Sequence, residues 1–301
     1  MKNKRINSLL GIIIVISALS IIMAGTMQQL LFQMLGFSIM IILSCIRPEF
    51  WMKNVEKVMF AIFFIASLKG YFHRHEIGIS YLLKWGVFKI RLHTFILFLI
   101  PLSGIWIYKI SCRYKKEHWY KELLIVAWIE MICVVLARRI SSIKIWLSSF
   151  VEKSDKTYIY DILKEAHGKN RIWGESVFYE DILYYLPEAK DTLVLTYYIS
   201  KYGVIIGCGM CILMGILVLK IFWDIKACNA KETIVGSMCT VVISFQLVLN
   251  IMVNGRLCPM ISHGTFMPFF TQNFGETLFI YILMGIILSV YRYYLNFDIK
   301  R

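Results

Sequence analysis

Eight stretches of the chain are apolar enough to be read as membrane-crossing helices, at approximately 8–25, 29–46, 54–69, 93–109, 121–137, 202–222, 233–253 and 276–292. A hydrocarbon core of about 30 Å calls for roughly 17–25 such residues. The third stretch has a short dense core, Val58 to Leu68, and the fourth carries Pro101, a kink that membrane helices tolerate. Two longer connectors interrupt the alternation. From about 138 to 191 the chain is polar, yet Ile140, Ile143, Trp146, Leu147 and Phe150 share one helical face suited to a membrane surface. Trp173, Tyr179, Tyr184 and Tyr185 follow among charges of both signs, a mixture that argues for order. From Asn254 to Glu276 the chain is apolar but broken by Pro259, Gly264, Pro268 and Gly275. This pattern fits a re-entrant or plug-like segment at about 254–276, which needs protein around its backbone.

Composition agrees with the pattern. With 58% hydrophobic and 17% charged residues and a mean hydropathy of +0.66, the chain reads as an all-α, polytopic integral membrane protein forming a single domain over 1–301. The net charge of +14 does not call for nucleic acid, because Lys and Arg gather in the cytoplasmic loops of membrane proteins. With the N-terminus inside, the inner segments hold 17 basic residues and the short outer loops hold 6, which puts both termini in the cytoplasm and the large loop outside. The basic start, Met1 to Arg5, leads into an apolar run without a small-x-small cleavage site, so it reads as a retained first span. Of eight cysteines, only Cys208 and Cys211 form a C-x-x-C, inside a span beside Gly207 and Gly209. Helix packing explains that pair, and no metal site is completed.

Chemistry concentrates between Leu186 and Gly203, where the loop joins a span. Asp191 sits at that boundary, where partial burial can tune a carboxylate for proton transfer. The plainer reading is an N-cap before an apolar run. Glu130 lies mid-span and suits either a paired buried acid or a proton pathway. Gln246 and Asn250, four apart, suit interhelical hydrogen bonds, and His263 reads as a hydrogen-bonding residue.

The order of motifs in the second half resembles the shape, elongation, division and sporulation family typified by FtsW, RodA and SpoVE. Arg138-Arg-Ile140 is similar to the basic motif that opens the family's large outer loop. Leu186-Pro-Glu188, an acidic position and an apolar run to Gly203 come next. Gln246, Asn250-Ile251 and Pro259 follow in the family's order, then Gly264 and Pro268-Phe269, then Gly285, Leu288-Ser289 and Arg292. In the first half Trp85, Gly86 and Phe88 resemble a motif before the fourth span, whereas Arg91-Leu-His-Thr94 replaces Gln-Pro-Ser-Glu. The family usually has ten spans against the eight read here. Its catalytic Asp falls, counting back from Gly203, at Thr192, so Asp191 stands one residue early.

The resemblance implies a bacterial inner-membrane protein of cell-wall synthesis that polymerises a lipid-linked peptidoglycan precursor, partnered by a single-span class B penicillin-binding protein, the transpeptidase. It implies Asp191 as the catalytic base, with Arg138, Arg139, Lys190 and Arg256 as partners of the pyrophosphate; ordinary interfacial snorkelling is their alternative role. Glu188 is expected to brace the loop. No cofactor is indicated. The displaced acid and the missing spans favour a non-catalytic scaffold or regulator as the alternative, and Glu130 a small transporter or lipid flippase.

Overall fold

The computed structural model describes residues 2–72, 81–85, 88–91, 94, 97–114, 140–150, 158–186, 189–226, 230–259 and 265–297. Among these, eleven helices and one β-hairpin follow in the order α1 (Lys2–Ala24), α2 (Met27–Ser44), α3 (Pro48–Phe72), β1 (Tyr81–Trp85), β2 (Phe88–Arg91), α4 (Leu99–Tyr114), α5 (Ile140–Ser148), α6 (Tyr158–Lys169), α7 (Tyr179–Tyr185), α8 (Val194–Tyr202), α9 (Val204–Lys226), α10 (Ala230–Asn254) and α11 (Phe274–Phe297). Five of them, α1, α2, α9, α10 and α11, are long and apolar enough to cross a membrane. The protein is therefore a multi-pass membrane protein. The third expected span lies within α3, whose Glu56, Lys57 and Lys69 raise its charge above that of the five. The fourth, 93–109, is described at residue 94 and from 97 onward, and overlaps the 16-residue α4, which runs on to Tyr114. The fifth, with Glu130, lies outside the described residues.

An all-helical chain was expected, and the hairpin corrects this. β1 and β2 pair antiparallel, with Trp85 opposite Phe88 and Tyr81 opposite Arg91. Each strand has only four or five residues, too few for a period-two pattern to stand out beside the neighbouring apolar runs.

The described chain divides into two compact units. The first holds residues 1–125, 216–244 and 273–301, and the second holds 126–215 and 245–272. In the first unit α11 packs along α2. Gly36 makes this possible, since a Cβ there would collide with the Tyr281 ring. The apolar contact is threaded by polar groups bonded to one another. Tyr281 donates to Gln33 Oε1 at 2.5 Å and shares a bond with Ser17 at 2.6 Å, while Gln29 and Gln33 both donate to Ser20. In a membrane interior such pairing removes the cost of unsatisfied polar atoms. The C-terminal end of α11 meets the α2–α3 corner, where Ser289 donates to the Ile46 carbonyl and Tyr293 to Glu49.

The hairpin is fastened to the other end of α11. Phe32, Phe88 and Phe274 pack as a cluster with ring centroids 4.9–6.0 Å apart. Beneath it Arg91 Nη1 lies 2.9 Å from Glu276 Oε1, with both side chains almost wholly buried. Asn273 Oδ1 accepts from the N–H groups of Gly275 and Glu276 and so caps α11. Glu276 in the first turn also complements the helix dipole. Arg91, one of the six basic residues that the sequence assigns to the short outer loops, is half of a buried ion pair.

Candidate functional site

The second unit holds most of the chemistry foreseen in the sequence. Its α8 starts at Val194 with Leu193 as the N-cap residue, so Asp191 is not the cap that its position before an apolar run suggested. Residues 189–192 form a turn instead. The backbone on either side of Asp191 is tied down by distant groups. Asn250 Nδ2 donates to the Thr192 carbonyl at 2.9 Å, and the Gln272 N–H donates to the Lys190 carbonyl at 3.3 Å. One turn further on, Asn254 Oδ1 accepts from both the N–H and the hydroxyl of Thr196, at 2.9 and 2.8 Å. Asn254 Nδ2 in turn donates to the Asn250 carbonyl and its Oδ1, joining the two amides into a ladder on one face of α10.

The turn is thus held from both sides, by the Asn250 side chain on α10 and by the Gln272 backbone. A backbone carbonyl or amide in a buried, non-helical stretch must find a partner. Thr192 is almost wholly buried, whereas Lys190 and Asp191 are half-buried. Asp191, unlike Thr192, therefore keeps partial access to solvent. Lys190 Nζ lies 5.8 Å from the centroid of the Tyr197 ring, a cation–π contact. Tyr197 shares a hydrogen bond of 3.1 Å with Tyr179. Burial, and then that bond, push the Tyr197 hydroxyl far above the ordinary phenol range, so it is a proton-bearing group at neutral pH and no base.

At the far end of α8, Gly203 adopts a φ of +98° and permits a close crossing. A Cβ there would lie 2.7 Å from the Ile172 carbonyl oxygen, and the flanking backbone is bonded to residues 171 and 174. This kink separates α8 from α9. Beside the turn the chain from Thr265 to Thr271 is buried and non-helical, with Phe269 at a positive φ of 67°. Tyr198 stacks edge-on against Phe270, which binds α8 to this segment.

Arg256 marks the end of α10. Its N–H bonds to the Val253 carbonyl and that of Leu257 to the Met252 carbonyl, the two bonds of a Schellman cap. Such caps usually place Gly at the left-handed position, but Arg256 occupies it with φ 60°. Its guanidinium lies over the Phe150 ring at 5.4 Å, and Trp146 donates to its carbonyl at 3.0 Å. The face of α5 expected to lie on a membrane surface thus also clamps this corner. Arg256 Nε is buried with no hydrogen-bond partner among the described residues. His167 on α6 is held below the usual imidazole range, by partial desolvation first and by the Arg256 charge second.

Of the foreseen site residues, Asp191 and Lys190 share the pinned turn, and Arg256 lies two residues beyond Asn254, whose amide holds Thr196 one helical turn further on. Arg138, Arg139, Glu188 and His263 lie outside the described residues. Sequence reading missed Asn254 as a site residue. The signal was present, since Gln246, Asn250 and Asn254 repeat every four residues on one helical face. Gln246 itself is fully buried, and neither atom of its amide has a partner among the described residues.

Comparison with known proteins bears on what this arrangement belongs to. The profile of the cell cycle protein family FtsW/RodA/SpoVE matches residues 86–295. The chain belongs to that family. Solved structures share the fold. The rod shape determining protein RodA of Thermus thermophilus superposes with a TM-score of 0.65 at 15% identity, over 95% of this chain and 96% of RodA. A mutant of the same RodA gives 0.62 at 15% identity, over 95% of this chain and 97% of that one. A chain of a peptidoglycan synthase complex that coordinates polymerization and crosslinking gives 0.64 at 13% identity, with 95% and 97% covered. Among curated proteins no sequence match is found. The family's profile begins at Gly86, between the two strands of the hairpin, and so takes in both the Arg91–Glu276 pair and the Asp191 turn.

Proposed function

We propose that this family member, a protein of cell-wall synthesis, polymerises a lipid-linked disaccharide-pentapeptide into glycan on the outer face of a bacterial inner membrane. The observation that carries the reading is the Asp191 turn, whose backbone is bonded on both sides while Asp191 between them is only partly buried. Asp191 takes the proton from an acceptor sugar hydroxyl as that oxygen attacks the donor's anomeric carbon. A C–O bond forms there, and the bond to the pyrophosphate breaks with its electron pair leaving on the phosphate oxygen. Cationic groups neutralise that charge. Lys190 stands next to the base. Arg256, with an unused Nε donor, and the paired Arg138 and Arg139 are the further candidates. The likeness to a chain of a peptidoglycan synthase complex supports a penicillin-binding protein as partner.

The acid's place one residue before the family's position favours a second reading, a scaffold of the same synthesis complex. One experiment separates the two. The purified protein in liposomes with its transpeptidase partner is given lipid-linked precursor, comparing wild type with Asp191→Ala. Polymer from wild type, and a drop of about 10²-fold or more in the variant, is the expected result for a lost general base. Equal polymer from both removes Asp191 from the site. No polymer from either, with partner binding intact, establishes the scaffold.

A further inference from the structure

The cation next to Asp191 in the chain is held without being neutralised. Among the described residues Lys190 forms no ion pair, and what its ammonium meets is the Tyr197 ring, 5.8 Å away at the centroid. Lys169 shows the alternative. It too lies over a ring, that of Phe178 at 4.6 Å, but its charge is spent on Glu165 at 2.5 Å. A carboxylate that holds an ammonium also cancels its charge. The negative face of an aromatic ring attracts the same ammonium and leaves the charge in place. A ring covers one side of the group, so N–H donors remain for another ligand.

The ring is a fixed support. Tyr197 lies in the first turn of α8 and is almost wholly buried. Tyr198 packs against it with centroids 5.1 Å apart and Tyr179 at 5.7 Å, and the two hydroxyls of Tyr179 and Tyr197 share a 3.1 Å bond. With its hydroxyl engaged, Tyr197 offers the ring face. At the other end of the contact the Lys190 carbonyl is bonded by the Gln272 N–H, and Lys190 is only partly buried. Between these two anchored ends only the flexible four-carbon stem is free, and its rotamers scatter the charge of an unsupported lysine.

We propose that Tyr197 is a positioning residue, whose clamped ring fixes the Lys190 ammonium as an uncancelled cation for the pyrophosphate of a lipid-linked substrate. It acts through Lys190 and touches no substrate itself. This rests on the reading above that a pyrophosphate is bound at the Asp191 turn, and it assigns the work of holding that cation to a residue outside the turn.

The test is a double-mutant cycle on binding, which needs no turnover. The full-length protein in nanodiscs is titrated with undecaprenyl pyrophosphate. Lys190→Met is expected to weaken binding about tenfold and Tyr197→Leu about fivefold. Tyr197→Phe, which keeps the ring and loses the hydroxyl, is expected to stay within about twofold of wild type. The double variant Lys190→Met/Tyr197→Leu should bind as Lys190→Met does, because the ring acts only through the ammonium. Additive losses overturn the proposal, since Tyr197 then supports the fold and not Lys190. Tyr197→Phe as damaging as Tyr197→Leu overturns it too. Where Tyr197→Leu fails to fold, the wild type decides. After reductive dimethylation with 13C, the N-methyl signal that Lys190→Arg removes should lie upfield of the other lysines through the ring current, and an ordinary position overturns the proposal. Binding in this pattern with no polymer from the wild type defeats the polymerase reading and upholds the role of Tyr197. Polymer from a wild type whose binding is indifferent to Lys190→Met does the reverse.

Discussion

The two units differ in what their central buried polar residues hold. In the first, the buried groups between α1, α2 and α11 and at the hairpin bond side chain to side chain: Tyr281 with Gln33 and Ser17, Gln29 and Gln33 with Ser20, Arg91 with Glu276. Most of these join regular helices whose own backbones are already satisfied, and they select which helix faces meet. In the second, side chains bond to backbone or to a residue beside it. Asn250 and Asn254 hold the Thr192 carbonyl and the Thr196 N–H, in a stretch that is a turn before it is a helix. The difference separates a packing role from a positioning role. A polar group spent on a partner's side chain stabilises an assembly of helices, whereas one spent on irregular backbone sets where a neighbouring side chain stands.

Substitutions can break that contrast. The largest effect is expected for Arg91→Met, which takes the cation of the buried pair away from Glu276. Thermal unfolding in detergent should report a loss of about 3–5 kcal/mol, and adding Glu276→Leu should restore most of it. If the double variant is as damaged as the single one, the pair does more than cancel charge. Next comes Asn254→Leu, which orphans both donors of Thr196 at a cost of roughly 2–4 kcal/mol. Here glycan polymerisation, measured at a temperature where the variant is still folded, should fall at least about tenfold, because the Asp191 turn loosens. Unchanged polymerisation would deny the ladder its positioning role.

Tyr281→Phe is the counterpart in the first unit. It removes a hydroxyl that both Gln33 and Ser17 use, for about 1–2 kcal/mol of stability, with no change in polymerisation by the folded protein. A selective loss of activity there would erase the contrast drawn above. The smallest stability effect is expected for Arg256→Gly. Relief of the left-handed backbone, about 1 kcal/mol, offsets a lost cation–π contact of about 0.5–1 kcal/mol. The melting temperature should hardly move. A fall in polymerisation rate would then mark the guanidinium as a pyrophosphate partner, and an unchanged rate would leave it as a corner clamp.

How much of this was legible differs from residue to residue. Long apolar runs announce α1, α2, α9, α10 and α11, because a membrane interior admits few alternatives to a helix with its backbone satisfied. The four-residue step from Gln246 to Asn250 was readable, and one more step would have reached Asn254. The hairpin was not readable, since strands of four and five residues carry too little pattern. Nor was the partner of Arg91, because a separation of 185 positions from Glu276 hides any local sign of the pair. Asp191 shows the limit most clearly. Counting along a helix places it one step from the family's position, but a turn obeys no helical rotation.

The sequence by itself determined that the chain crosses a membrane many times, that its second half follows the FtsW/RodA/SpoVE order, and that an acid stands where loop meets span. These follow from composition, periodicity and neighbouring residues, which are local properties. Only the tertiary structure decided that Asp191 lies on a turn and is no helix cap, that Thr192 beside it is buried, and that Arg91 is paired inside the protein. Each of those depends on hydrogen bonds or ion pairs closed across 58 to 185 residues of chain, and a contact of that span leaves no periodic trace in the residues that make it.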